Sequence, residues 1–232
     1  MAGTTRSFPM RAFVNILLAT AITGLIPMII SGDWGWLEAW AYAVLLVLLA
    51  AVSRGIAGRR NPDLIADRGR MRGAKDTKPW DMVLAPLHLI GTVLILGVAG
   101  LDRAYGWSPA FSPATKIAAF VIMLLAYGFG SWALVENRFF AGTVGIQKER
   151  GHHVVSTGPY RFVRHPGYAG SLLGGSLIPL LLDSARAFVP AILLAIVIVV
   201  RTALEDRTLQ AELPGYKEFA AKTRYRLLPG LW

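Results

Sequence analysis

No cysteine occurs in the 232 residues. A disulfide, a thiolate metal site and a cysteine nucleophile are thereby excluded, and the redox compartment leaves no mark on the sequence. Charge is scarce: Asp, Glu, Lys and Arg together make up 16% of the chain, against about 25% in an ordinary soluble domain. Acidic residues are the scarcer kind, 14 against 24 basic, for a net charge of +10. There is no strand–GxGxxG–helix unit, no internal repeat and no low-complexity linker. The simplest division is a single integral membrane domain over residues 1–232. The opening MAGTTRSFPMR does not read as a secretory signal, because no small-residue cleavage pattern follows the first apolar run and four more runs come after it.

Those apolar runs absorb the missing charge. They lie at Phe13–Ile30, Leu37–Val52, Met82–Leu101 and Ala114–Val135, with a fifth region split into Tyr168–Leu182 and Ala187–Val200 around Asp183-Ser184-Ala185-Arg186. Crossing a bilayer takes about 20 helical residues at 1.5 Å each. The first half of the split region is short for a crossing. The pair predicts a helical hairpin inside the bundle, with a turn that stops before the far surface. The fold expected is all-α, a polytopic membrane helix bundle of about five transmembrane helices ending in that hairpin.

The excess of basic residues reads as topology. Arg6 and Arg11, the stretch 54–78, the segment 138–164 and the tail from Arg201 hold 21 of the 24, leaving Arg103, Lys116 and Arg186 for the other side. The bias predicts cytoplasmic N- and C-termini in the cytoplasmic membrane. Attraction to anionic lipid head groups accounts for part of the charge. Nucleic acid, the usual partner of a basic soluble protein, is not expected.

Two segments on the basic side mix arginine with histidine, tyrosine and glutamate. The first runs from Gly151 to Tyr168. Gly158-Pro159 marks a turn. Pro166 biases His165 away from helix and suits the first turn of a helix starting near Gly167. Arg164 and His165 then stand at a helix N-terminus, where free N–H groups and the dipole favour an anion. A plain interfacial loop with tyrosine anchors explains the composition equally well. The second segment is Arg201-Thr-Ala-Leu-Glu205-Asp206, followed by Glu212-Leu-Pro-Gly-Tyr216. Arg201, Glu205 and Leu209 share one helix face. Glu205 could accept hydrogen bonds from a ribose diol, or simply pair with Arg201 at the surface. The tail Thr223–Trp232 is basic and apolar, suited to lying along a membrane or closing over a pocket.

Together these segments resemble the isoprenylcysteine carboxyl methyltransferase family and its phospholipid N-methyltransferase relatives. Gly158-Pro-Tyr-Arg-Phe-Val-Arg-His-Pro-Gly-Tyr168 is similar to the family signature. Arg201…Glu205-Asp206-x-x-Leu209…Pro-Gly-Tyr216 is similar to its second motif, and Tyr225-Arg226-Leu-Leu-Pro229 to its terminal one. The likeness covers Glu136 to Trp232, which makes residues 136–232 the motif-bearing, cofactor-binding half. One departure is Asp206, where the family often has Glu, so the acidic role falls on Glu205.

The resemblance implies an S-adenosyl-L-methionine pocket at the cytosolic face, closed by loop and C-terminal tail. It implies cofactor-binding roles for Tyr160, Arg164, His165, Tyr168, Glu205 and Tyr216. It implies reaction-site roles for Glu205 and Arg226, with Arg224 an alternative to the latter. The substrate implied is lipophilic, an isoprenylcysteine-type carboxylate or a lipid amine, reached from the bilayer. Sterol-type reductases using a nicotinamide cofactor share part of this architecture and are the enzymatic alternative. A non-catalytic membrane protein retaining the motifs is the other.

Four further features need less. His88, inside the third run, reads first as a neutral histidine hydrogen-bonded between helices, although an intramembrane ionisable group is also a functional candidate. His152-His153 lacks an acidic partner at ligand spacing, and no metal is expected. Gly170-x-x-x-Gly174 is a small-residue stripe for close helix contact within the hairpin. Glu136 marks the membrane interface or faces the pocket.

Overall fold

The computed structural model describes residues 8–69 and 77–232. Of the basic residues counted above, Arg6, Arg70, Arg72 and Lys75 lie outside the described residues. Eight α-helices and two short 3-10 turns, with no strand, make up the regular structure of the described chain. They are α1 (Met10–Ser31), α2 (Leu37–Arg60), α3 (Pro62–Gly69), α4 (Asp81–Tyr105), α5 (Pro113–Glu136), α6 (Pro166–Leu181), α7 (Phe188–Glu212) and α8 (Tyr216–Lys222). Of these, α1, α2, α4, α5 and α7 are long and apolar enough to cross a membrane. Their outer faces carry bare apolar side chains, among them Ile22, Leu37, Leu125 and Ile192, as contact with lipid tails requires. The chain is an integral membrane protein.

Each long helix overruns its apolar run. The largest excess is α7, which passes Val200 and continues to Glu212, and α2 likewise passes Val52 and continues through Arg54, Arg59 and Arg60. Hydropathy marks only the part in hydrocarbon, whereas arginine sustains a helix nearly as well as leucine does. The ends are set by local chemistry. Gly32 and Gly106 stop α1 and α4 in the left-handed conformation, at φ 70° and 63°, their N–H groups donating to Met28 and Asp102 carbonyls. Ser112 caps α5 by accepting from the Thr115 N–H, with Pro113 following it.

The hairpin of α6 and α7 departs from expectation in one respect: its turn does reach the far polar layer. The Ser184 hydroxyl donates to Asp102 at 2.6 Å, Asp183 accepts from the Phe111 N–H at 2.7 Å and from Lys116 at 3.0 Å, and Arg186 lies 4.1 Å over Trp107. The shortness of α6 is taken up at its other end, where buried His165 and Pro166 start the helix beneath the surface. The other two basic residues of this face are paired as well, Arg103 with Asp33 and Lys116 also with Glu38.

The glycine stripe also packs differently from expectation. It faces α5, not the other arm of the hairpin. A Cβ on Gly170 would stand 2.4 Å from the Ala126 carbonyl, and one on Gly174 2.3 Å from the Tyr127 ring. Backbone cannot yield to the first as a flexible side chain can. Gly170→Val is expected to destabilise the bundle by about 1–3 kcal/mol or more, read as a lower midpoint of heat-induced aggregation in detergent. An unchanged midpoint would show that α6 can slide on α5. The core that these contacts enclose is built from all five spans and α6, with Met28, Tyr42, Ile95, Met123, Ile178 and Leu194 at its centre.

Candidate active site

The motif-bearing face is built by the starts of α4 and α6, the ends of α2, α5 and α7, the segment 137–165, α8 and the tail. Its densest point is Asp206 on α7, which is fully buried. Arg164 grips it with Nε at 2.7 Å and Nη2 at 3.0 Å, and Arg226 with Nε at 2.9 Å. Gln210 donates at 2.8 Å, Tyr216 at 3.2 Å, and His165 Nε2 lies at 3.3 Å. One carboxylate thus ties the signature segment, α7, α8 and the tail together. Arg164 spends Nη1 on the carbonyls of Thr223 and Arg224, at 2.9 and 2.8 Å. The tail answers with its own carbonyls, Tyr225 accepting from the Arg164 N–H and Arg226 from the His165 N–H, both at 2.9 Å. Burial, with negative Asp206 and Glu205 nearby, pushes the Tyr216 phenol above its usual range, so it stays an O–H donor.

A second buried pair fixes the facing loop. Arg201 donates from Nε and Nη2 to Asp81 at 2.6 and 3.0 Å, and from Nη2 to the Gly142 carbonyl at 2.8 Å. Asp81 also accepts from the Val144 N–H at 2.6 Å. Arg201 is therefore not the surface partner of Glu205 that helical spacing allowed. Glu205 instead accepts from the Tyr168 hydroxyl at 2.7 Å.

Between these two clamps lies a cavity of roughly 400 Å³, within the range of about 300–1,000 Å³ typical of ligand pockets. Tyr160, Arg164, His165, Tyr168, Glu205 and Tyr216 all line it. So do the loop residues 139–145, Val154 and Val155, and, from deeper in the bundle, His88 and Ser171. Arg226 does not. It turns toward Asp206 and lies 4.9 Å over the Trp232 ring. Glu136 is also outside the lining and accepts from Thr157 at 2.5 Å.

The two adjacent histidines serve the loop. His152 stacks on Phe139 at 4.5 Å and its Nδ1 accepts from the Gln147 N–H at 3.3 Å. Burial, with His153 and Arg150 adding to it, pushes its pKa down to about 4. Residues 117–211, from α5 to near the end of α7, match the sequence model of the isoprenylcysteine carboxyl methyltransferase family, a stretch that includes the signature segment and the Glu205-Asp206 pair. A search of curated proteins gave no match.

The sequence reading missed two anchors. Asp206 was ranked below Glu205, yet it is the buried one. Asp81 gave no signal at all, being one acidic residue before an apolar run and 120 positions from its partner. Each stands out only by its complete burial, which no linear pattern records.

Proposed function

We propose that the chain is an S-adenosyl-L-methionine-dependent methyltransferase that acts on a lipophilic substrate drawn from the bilayer. The observation that carries this reading is the convergence of six motif residues on one cavity of ligand size. The residues fit the cofactor: Glu205 offers a carboxylate for a ribose diol or an amino group, Tyr160 and Tyr216 offer aromatic walls, and His165 and Tyr168 sit at the buried start of α6. When bound, the cofactor supplies an electrophilic sulfonium methyl. Such a transfer depends on alignment and desolvation more than on acid–base chemistry. The clamps on Asp206 and Asp81 would hold the walls in place. In this reading Arg164 and Arg226 position Asp206 and the tail, and act on the cofactor through them. The motif-bearing face is the cytosolic one, by the distribution of basic residues.

The test is binding of radiolabelled S-adenosylmethionine to purified protein in detergent, with nicotinamide cofactors in parallel. Glu205→Gln and His165→Ala are each expected to weaken binding about 10–150-fold, the effect of losing a hydrogen bond to a charged group, while the protein still inserts. Glu212→Gln is the control. Glu212 pairs with Lys78 at the partly exposed end of α7, where a pair is worth about 0–1 kcal/mol. Equal behaviour of Glu205→Gln and Glu212→Gln would remove Glu205 from the site. Tight nicotinamide binding without S-adenosylmethionine binding would replace the reading altogether.

A further inference from the structure

The cavity has polar lining residues that the motifs do not account for. Arg54 lines it from α2, and His88 and Ser171 line it from α4 and α6. Arg54 lies six residues inside the end of α2 and His88 seven inside the start of α4. At 1.5 Å per residue both stand about 10 Å inward from the helix ends.

The arginines of the lining differ in one way. Arg164 is held by Asp206 and Arg201 by Asp81. Arg54 has no carboxylate partner among the described residues, and its one side-chain hydrogen bond runs from Nη1 to Ser53 Oγ at 3.2 Å. Its Nε is buried with no hydrogen-bond partner. His88 repeats the pattern: Nε2 meets Ser171 Oγ at 2.9 Å, while Nδ1 is buried and unpartnered. Arg54 is half-buried, but a guanidinium N–H held away from solvent with no counter-ion is costly, and the usual remedy is an anion held by hydrogen bonds. Among the described residues, the one carboxylate that lines the cavity, Glu205, is engaged by Tyr168.

We propose that Arg54, with His88 and Ser171 in the same cavity, forms an oxyanion subsite that holds the head group of an amphiphile. Arg54 supplies the charge and an N–H fork suited to carboxylate or phosphate oxygens. His88 and Ser171 line the same cavity and offer further hydrogen-bonding groups. The residues assigned to the cofactor all lie on elements other than α2, which favours an amphiphile from the bilayer over the carboxylate of a water-soluble cofactor as the ligand of Arg54. The inference rests on the methyltransferase reading only for the statement that this amphiphile is the methyl acceptor. The subsite itself is a property of the cavity.

Calorimetric titration of the full chain in a non-ionic detergent tests it, with tetradecanoate, tetradecyl phosphate and tetradecanol as probes and S-adenosylmethionine titrated separately. The wild type is expected to bind at least one of the two anionic probes more than tenfold tighter than the alcohol. The tighter anion tells whether the group held is a carboxylate or a phosphate. Arg54→Gln is expected to erase the preference, a loss of about 10–100-fold. Arg54→Lys should keep most of it, and His88→Ala should reduce it severalfold. S-adenosylmethionine affinity should stay within about twofold in Arg54→Gln, which also reports that the variant is folded. No preference in the wild type, or an undiminished preference in Arg54→Gln, overturns the subsite. So does an Arg54→Gln variant that loses S-adenosylmethionine affinity and keeps the amphiphile, since the anion held would then be the cofactor's. A wild type that binds the anionic probes but not S-adenosylmethionine would sink the methyltransferase reading and leave the subsite standing.

Discussion

Asp206→Ala is expected to be the most destabilising single change at the motif-bearing face. It leaves Arg164, itself nearly fully buried, without its counter-charge, and it releases Arg226, Gln210 and Tyr216 together. Removing one partner of a buried ion pair costs about 3–5 kcal/mol, because the surviving charge stays desolvated. The measurement is the fraction of protein that remains monodisperse in detergent after a temperature series. Two companions sharpen it. Arg164→Ala should come close to the aspartate variant, since the Arg164 side chain is 6% exposed, whereas Arg226, at 32%, should give a much smaller loss. Asp206→Asn should fall between, keeping one acceptor oxygen but no charge. If Asp206→Ala keeps the wild-type profile, the hub is an arrangement of neighbours and not a clamp. If Arg226→Ala proves as damaging as Arg164→Ala, solvent screening at the tail is weaker than its exposure indicates.

The second large effect is expected at Asp81. Asp81→Ala strands Arg201 and removes the acceptor for the Val144 N–H, so the loop wall at 142–144 loses its tie to α4. The same rule gives about 3–5 kcal/mol. A double variant separates charge from loop. In Asp81→Ala with Arg201→Met, no buried charge is left unpaired, and much of the lost stability should return. The Val144 N–H still lacks its acceptor and the loop keeps only its ties to Thr77 and Lys78, so under the methyltransferase reading cofactor binding should stay impaired even where stability recovers. Stability and binding are thus two readouts that separate. A double variant no more stable than Asp81→Ala would mean that the hydrogen bond to Val144, not the ion pair, carries the stabilisation.

These two carboxylates also mark the limit of what was legible in the linear chain. Five crossings, the basic side and the last hairpin follow from hydropathy and charge, because the bilayer is a uniform solvent that sorts residues by composition along the helix. The signature segment before Tyr168 was legible for a related reason. Gly158, Pro159 and Pro166 constrain their own backbone, so their order fixes a turn and a helix start without help from the rest of the molecule. The family match over residues 117–211 includes that segment.

Partners were not legible. Helical spacing offered Glu205 to Arg201, and the fold gave Arg201 to Asp81 and Glu205 to Tyr168. The glycine stripe was clear as a stripe, yet its neighbour is α5 rather than α7. Arg54 counts in the sequence only as the first basic residue of a loop over 54–78, whereas α2 continues through it to Arg60 and leaves its Nε buried and unpaired. What the sequence determined by itself is which stretches enter the membrane and where the chain must turn, since both depend on residues a few positions apart. Which charges meet, which stay bare and which side chains share one cavity were decided by tertiary structure, because those depend on the rotation of each helix about its axis, and that rotation is set by contacts between residues tens to more than a hundred positions apart.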